Sequence, residues 1–287
     1  MLFLTGCQTQ KSTVLDISEA TITLPIISSG EVPTYSRIVA LANGSAEVVA
    51  ALGYAKNLVG RDVASTLPAL VSIPIDNPGH SISPELVLSQ RPDLIIIDAN
   101  SSPATAIATL EKSGVRIATI KDSFDVAGVL TKERAIGALL GLPRATAALE
   151  RLITTISYPK RDIKVLFLYL RGTASIYLIG GKGSGADSLL RTMGLRDIGS
   201  ENLSRPFSAM TAEELVKLNP DVILLMSKGL QSVGGLSGFA SLPGIAQTRA
   251  GKESRVVTVD DSLLLAFGPR TPGLIEALRK NIVKVAA

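Results

Sequence analysis

The stretch Ser83 to Ile97, SPELVLSQRPDLIII, recurs as Thr211 to Leu225, TAEELVKLNPDVILL. The capping hydroxyl, the glutamate and the Pro-Asp dipeptide stay in register. A second echo lies at nearly the same separation, Arg116 to Ser123 (RIATIKDS) against Arg255 to Ser262 (RVVTVDDS). Each unit reads as a capped short helix followed by a fully apolar strand, the pattern of a parallel sheet covered on both faces. One supersecondary unit has been built twice, so the chain divides into two similar α/β lobes. Two lobes enclose a cleft, the usual seat of a small molecule.

Outward from the repeat, Arg37 to Leu41 reads as a strand, Ala46 to Leu52 as a helix stopped by Gly53, and Leu58 to Gly60 as the next strand. A helix near Ala104 to Lys112 and a strand from Val115 to Ile120 complete the first lobe. From Phe124 to Ile156 apolar residues recur at helical spacing, interrupted near Gly141-Leu142-Pro143. This is a helical connector, kinked or split at Pro143. The second lobe opens with the strand Lys164 to Leu170, followed by a polar turn to Ser184, and it ends in a helix that starts near Thr271-Pro272. The expected fold class is α/β: two Rossmann-like lobes joined by a single long helix, with the ligand cleft between them. The boundaries are 1–33 for an N-terminal tether, 34–123 for the first lobe, 124–157 for the connector and 158–287 for the second lobe.

Composition narrows the function. At 287 residues, with 46% hydrophobic and 19% charged, the chain is globular and has room for two domains. The net charge of +4 comes from scattered Lys and Arg rather than a basic tract, and there is no Trp. Nucleic acid is therefore not an expected partner. A sole Cys cannot close an internal disulfide. That Cys7 ends the run MLFLTGC, which resembles the lipobox of bacterial lipoproteins; the resemblance implies lipid modification at Cys7 and a Thr/Ser/Gln-rich tether behind it.

Ligands of open α/β sheets sit beyond the carboxyl ends of the strands. Here those loops are Asn43 to Ser45, Arg61 to Thr66, Asp76 to Ser81, Tyr169 to Ser184, Ser227 to Gly235 and Ser262 to Arg270. They contain His80, the only histidine, in Asn77-Pro78-Gly79-His80, and the strand end Tyr169-Leu170-Arg171. A cation near a phenol favours the phenolate, and phenolate and imidazole are both iron ligands. His80 from one lobe and Tyr169, supported by Arg171, from the other form a set able to clamp an iron porphyrin on both faces. Tyr177 is the reserve ligand. No catalytic set emerges. The nucleophile elbow of hydrolases and the full phosphate-loop pattern are both missing, and one Cys with one His is too few for a structural zinc site.

The paired Ser/Thr-x-Glu…Pro-Asp units, the helical connector and the lipobox together resemble the substrate-binding lipoproteins of bacterial importers for haem, cobalamin and iron-siderophores. The resemblance runs from about Arg37 to Leu278. Within that group, His80 with Tyr169-x-Arg171 is similar to the haem-binding branch. It implies haem as the transported ligand, no enzymatic activity, an ABC permease dimer as partner, and a place on the outer face of the cytoplasmic membrane. It further implies that Glu85 and Glu213 dock on the permease, and for a haem ligand basic residues such as Lys182 or Lys228 are available to the propionates. This chain carries Phe207 near the place where some haem binders have a tyrosine. Two other readings stay open. One is a cobalamin or ferric-siderophore binder, with Arg61, Arg171, Arg205 and Arg270 available to an anionic siderophore; the other is a tetrapyrrole metal chelatase.

Overall fold

The computed structural model describes residues 14–77, 81–121, 124–170 and 177–287. Among them, the first lobe holds a parallel sheet of β2 (Ile38–Ala40), β3 (Leu58–Arg61), β4 (Leu94–Asp98) and β5 (Arg116–Ile120) in the order β3-β2-β4-β5. The second lobe is built on β6 (Lys164–Leu170), β10 (Val222–Met226) and β11 (Val256–Val259), all parallel. Four further strands extend it: β7 (Tyr177–Gly180) and β9 (Phe207–Ala209) are antiparallel additions, β8 (Arg196–Asp197) pairs with the start of β6, and β1 (Val14–Ile17) lies parallel beside β11.

Both lobes are apolar on both faces of the sheet, as the unbroken runs of β4 and β10 require. Ile38, Leu94 and Ile96 pack into one cluster of the first lobe while Val39, Ile95 and Ile97 pack into another. In the second lobe Val165, Phe167 and Leu224 alternate in the same way with Leu166, Leu168 and Ile223. Each such fully buried side chain contributes about 1.5–3 kcal/mol of transfer free energy.

The repeated dipeptide has a structural task. The Asp93 carboxylate accepts from the Ser36 and Arg37 amides at 2.8 and 2.9 Å, and its own amide donates to the Arg37 carbonyl. Asp221 does the same at the entry of β6, accepting from the Lys164 amide at 2.9 Å and donating to its carbonyl at 2.9 Å. In each lobe the aspartate pins the start of the central strand. The helices before it match as well: Ser83 caps Pro84–Ser89, and Thr211 caps Ala212–Leu218 in a full capping box with Glu214.

The connector is helical, as expected, but it is two helices, Val126–Leu140 and Pro143–Thr154. The break comes at Gly141, which ends the first helix with φ 71°, and Pro143 opens the second. Arg134 bonds Glu150 with both guanidinium arms, and Gly137 lies so close to Thr146 that a Cβ would sit 1.7 Å from its hydroxyl. These pairings converge on the turn, so the helices fold back on each other. Ile136, Leu140 and Leu149 enter a first-lobe cluster while Val129 and Ile153 enter a second-lobe one, and the hairpin spans both.

The N-terminal stretch differs from the tether expected over 1–33. Val14–Ile17 forms β1, a parallel strand beside β11 in the second lobe. The chain then crosses to the first lobe, where the Ile27 amide donates to Ala51 and the Thr34 amide to Leu140. Glu31 caps the second connector helix by accepting from the Arg144 and Ala145 amides. One short apolar run among polar residues carries too little pattern to be read as an edge strand.

Candidate functional site

In the first lobe the chain moves from β2 outward to β3 and then back past β2 to β4. The strand order therefore reverses between β2 and β4. In the second lobe the reversal falls between β6 and β10. The carboxyl ends at such reversals leave a crevice. A cavity of about 540 Å³ opens between the lobes there, within the range that holds one small-molecule ligand.

Its first-lobe wall comes from Leu41 and Asn43 after β2, from Val63, Ala64 and Thr66 after β3, and from Asp98, Asn100 and Ser101 at the end of β4. Asn77 and Ile82, on either side of the stretch with His80, also line it. Phe124, at the start of the connector, is 47% exposed and forms part of the rim. The second lobe contributes Lys228 after β10 and Asp261 and Ser262 after β11. Asp98 accepts from the Asn43 and Asn100 amides and from the Ser101 hydroxyl. Asp261 accepts from the Lys228 amide, and burial holds its carboxyl above the usual range.

Beneath the cavity the lobes are cross-tied by buried charge. Lys132, 1% exposed on the first connector helix, donates to the Asn43 carbonyl of one lobe at 2.6 Å and to the Ala266 carbonyl of the other at 2.9 Å. Arg270 of the second lobe forms a two-pronged pair with Glu47 of the first, at 2.9 and 2.5 Å, and reaches Glu19 at 3.3 Å. Burial pushes the Glu47 carboxyl up to about 7, against the opposing bonds from Arg270. Asp62, equally buried, accepts from the Gly44, Ala46 and Ala64 amides and the Ser65 hydroxyl. Paired charges of this kind fix geometry more than they add net stability.

The expected ligands fare unevenly. Tyr169 is half-buried near the end of β6, on the same face as Phe167, and its ring meets Phe207 with centroids 5.5 Å apart and planes at 56°. It lies at the carboxyl edge but is not among the residues that bound the cavity. His80, Arg171 and Cys7 lie outside the described residues. Tyr177 is corrected: it points to the opposite face, 4% exposed, and donates its hydroxyl to the Pro243 carbonyl at 2.7 Å. Burial and then the Glu213 carboxylate hold its phenol above the ordinary range, which suits a core residue.

Glu85 and Glu213 are both exposed in the first turns of their helices. Each helix leads into the next parallel strand and so begins on the cleft side of its lobe. Lys228 lines the cavity and Lys182 does not. Of the arginines considered for an anionic siderophore, Arg61 is buried and donates to the Ile73, Asp62 and Ser65 carbonyls, and Arg270 is held by Glu47. Sequence reasoning missed Asp98, Asn100, Ser101 and Phe124, because the loop after β4 becomes a cleft loop only once the strand order is known.

A family described as "Periplasmic binding protein" matches residues 38–263. The chain belongs to that family. Among curated proteins it is 26% identical over 261 residues to the uncharacterized ABC transporter substrate-binding lipoprotein YvrC of Bacillus subtilis (strain 168), covering 86% of this chain and 79% of that one. Among solved structures, heme binding protein HmuT is 30% identical with a TM-score of 0.77, covering 94% of this chain and 97% of its own. The periplasmic heme-binding protein BhuT, solved with two hemes, is 31% identical with a TM-score of 0.78, covering 88% and 99%. HmuT has also been solved with alanine in place of one histidine, one tyrosine and one arginine, the last two separated by a single residue. This chain shares the two-lobe binding-protein architecture of these solved structures.

Proposed function

We propose that this protein captures haem between its lobes and delivers it to an ABC permease, without bond chemistry of its own. The observation that carries the reading is the interlobe cavity at the two strand-order reversals. Asn77 and Ile82, which flank His80 in the sequence, line its wall, and Tyr169 is the penultimate residue of β6, at the carboxyl edge of the second-lobe sheet. The HmuT replacements support the assignment, since this chain also holds a tyrosine and an arginine one residue apart. In this reading His80 and Tyr169 are the axial ligands, Arg171 favours the phenolate, and Lys228 meets a propionate. Glu85 and Glu213, one per lobe at the cleft-side ends of matching helices, take the basic sockets of a permease dimer. Cys7 carries the lipid that holds the protein on the outer face of the cytoplasmic membrane, in keeping with the lipoprotein name of the Bacillus relative.

An anionic siderophore is less well served. Two of its four candidate arginines are consumed inside the fold, and two carboxylates, Asp98 and Asp261, stand on the cavity wall.

An absorbance titration with hemin tests the proposal, with cyanocobalamin and a ferric siderophore as competitors. The expected result is a saturable change in the porphyrin spectrum at one dominant affinity, weakened at least tenfold by His80→Ala and by Tyr169→Ala. An unaltered hemin spectrum, or preferential binding of either competitor, overturns it. Steady metalation of free porphyrin by ferrous iron would point to the chelatase reading instead.

A further inference from the structure

The row of side chains across the second-lobe extension is unusual. Antiparallel pairing sets Tyr169 opposite Leu178 and then Ala209, and pairs Gly180 with Phe207. Continuing the β6–β7 pairing inward by two residues brings Phe167 opposite Gly180 on the same face. Gly180 has no side chain, and a Cβ there would stand 2.6 Å from the Phe167 ring. Phe167 and Phe207 therefore meet across the gap, with centroids 6.3 Å apart at 63°. Phe207 then leans diagonally onto Tyr169 at 5.5 Å and 56°.

Phe207 is also 40% exposed on an edge strand. A ring needed only for sheet packing gains most by full burial, whereas this one keeps a wide apolar surface beside a half-buried tyrosine.

We propose that Phe207 is a positioning residue for the Tyr169 phenol. The inference rests on the haem reading and deepens it. Phe207 abuts the Tyr169 ring at a tilt of 56° and so narrows the orientations in which the phenol oxygen meets iron.

The test uses the full chain with hemin and follows the phenolate-to-ferric charge-transfer band, the dissociation constant and the melting temperature. Phe207→Ala is expected to shift or broaden the band and to weaken binding about three- to tenfold, with little change in melting. Phe207→Tyr, which restores a ring against Tyr169, should recover both; Phe207→Leu, which has no ring, should leave the band shifted. An alanine variant with an unmoved band and affinity within twofold overturns the proposal. So does a variant whose weaker binding merely follows a lower melting temperature while the band stays put. Failure of the underlying reading is visible separately in the protein with Phe207 intact: hemin leaves no spectral change, or Tyr169→Phe leaves the charge-transfer band in place.

Discussion

The two lobes begin from the same unit and end as different tools. In both, a capped helix leads through Pro-Asp into an apolar strand, and the aspartate pins the entry of the central strand. The first lobe stays with this plan, a parallel sheet whose loops put Asn43, Asp98, Asn100 and Ser101 on the cavity wall. The second lobe departs from it. It adds the antiparallel strands β7 and β9, which carry Phe207 against Tyr169, and it accepts β1 from the far end of the chain. The shared unit supplies the frame, and the additions supply the aromatic contact between Phe207 and Tyr169. Duplicated sequence is thus a good guide to architecture and a poor guide to what each lobe adds to it.

The comparison is broken most forcefully at the joint between the lobes. Lys132→Met should cost about 3 kcal/mol in urea unfolding, because it leaves the Asn43 and Ala266 carbonyls without their buried donor and removes a positive charge that favours the Asp62 carboxylate. The same variant should loosen the lobes. X-ray scattering of the parent protein with and without hemin should nearly coincide, and that of the variant should not.

A smaller effect, of opposite sign, comes from the connector hairpin. Glu133 is 2% exposed, its Oε2 has no hydrogen-bond partner among the described residues, and burial, followed by the Glu150 charge, pushes its carboxyl from 4.5 up to about 8. The folded protein then holds a proton that the unfolded chain releases above about pH 4.5. Stability from this group is full at acid pH and declines as pH rises towards 8. Glu133→Gln should flatten that decline and stabilise the protein by on the order of 2 kcal/mol at pH 8, as read by unfolding at pH 5 and pH 8.

The equivalence of the repeats is sharpened by removing the same residue from each. Asp93→Ala and Asp221→Ala should each lower stability by about 1–2 kcal/mol, since each uncaps the amide that opens a central strand. A large inequality in thermal unfolding would mean that one copy has passed the task to other residues. The least effect on the free protein is expected from Glu85→Lys and Glu213→Lys. Both sites are exposed, so stability and hemin affinity should hold within about 0.5 kcal/mol while haem transfer to a reconstituted permease falls.

The helical connector, the final helix and the strands β2, β3, β4, β6, β10 and β11 were legible because each carries an apolar periodicity or an apolar run bounded by caps. The polar turn read up to Ser184 hides β7, and the loop read over Ser227 to Gly235 forms the helix Ser227–Ser232 and opens the helix Gly235–Ala240. Those elements are short and glycine-flanked, and pairing rather than pattern stabilises them. Five of the six loops chosen as cleft loops reach the cavity through Asn43, Thr66, Asn77, Lys228 or Ser262.

By itself, the sequence determined that one α/β unit occurs twice, that a helical segment joins the copies, and that loops after the strands face a common gap. These follow from local periodicity and capping, which act within a few residues. Only the tertiary structure decided where the strand order reverses, that Lys132 and the Glu47–Arg270 pair lock the lobes beneath the cavity, that β1 belongs to the far lobe, and that Phe207 leans on Tyr169. Each of these depends on contacts between residues 38 to more than 200 positions apart. No local pattern encodes such pairings, because burial and hydrogen-bond satisfaction across the whole chain select them.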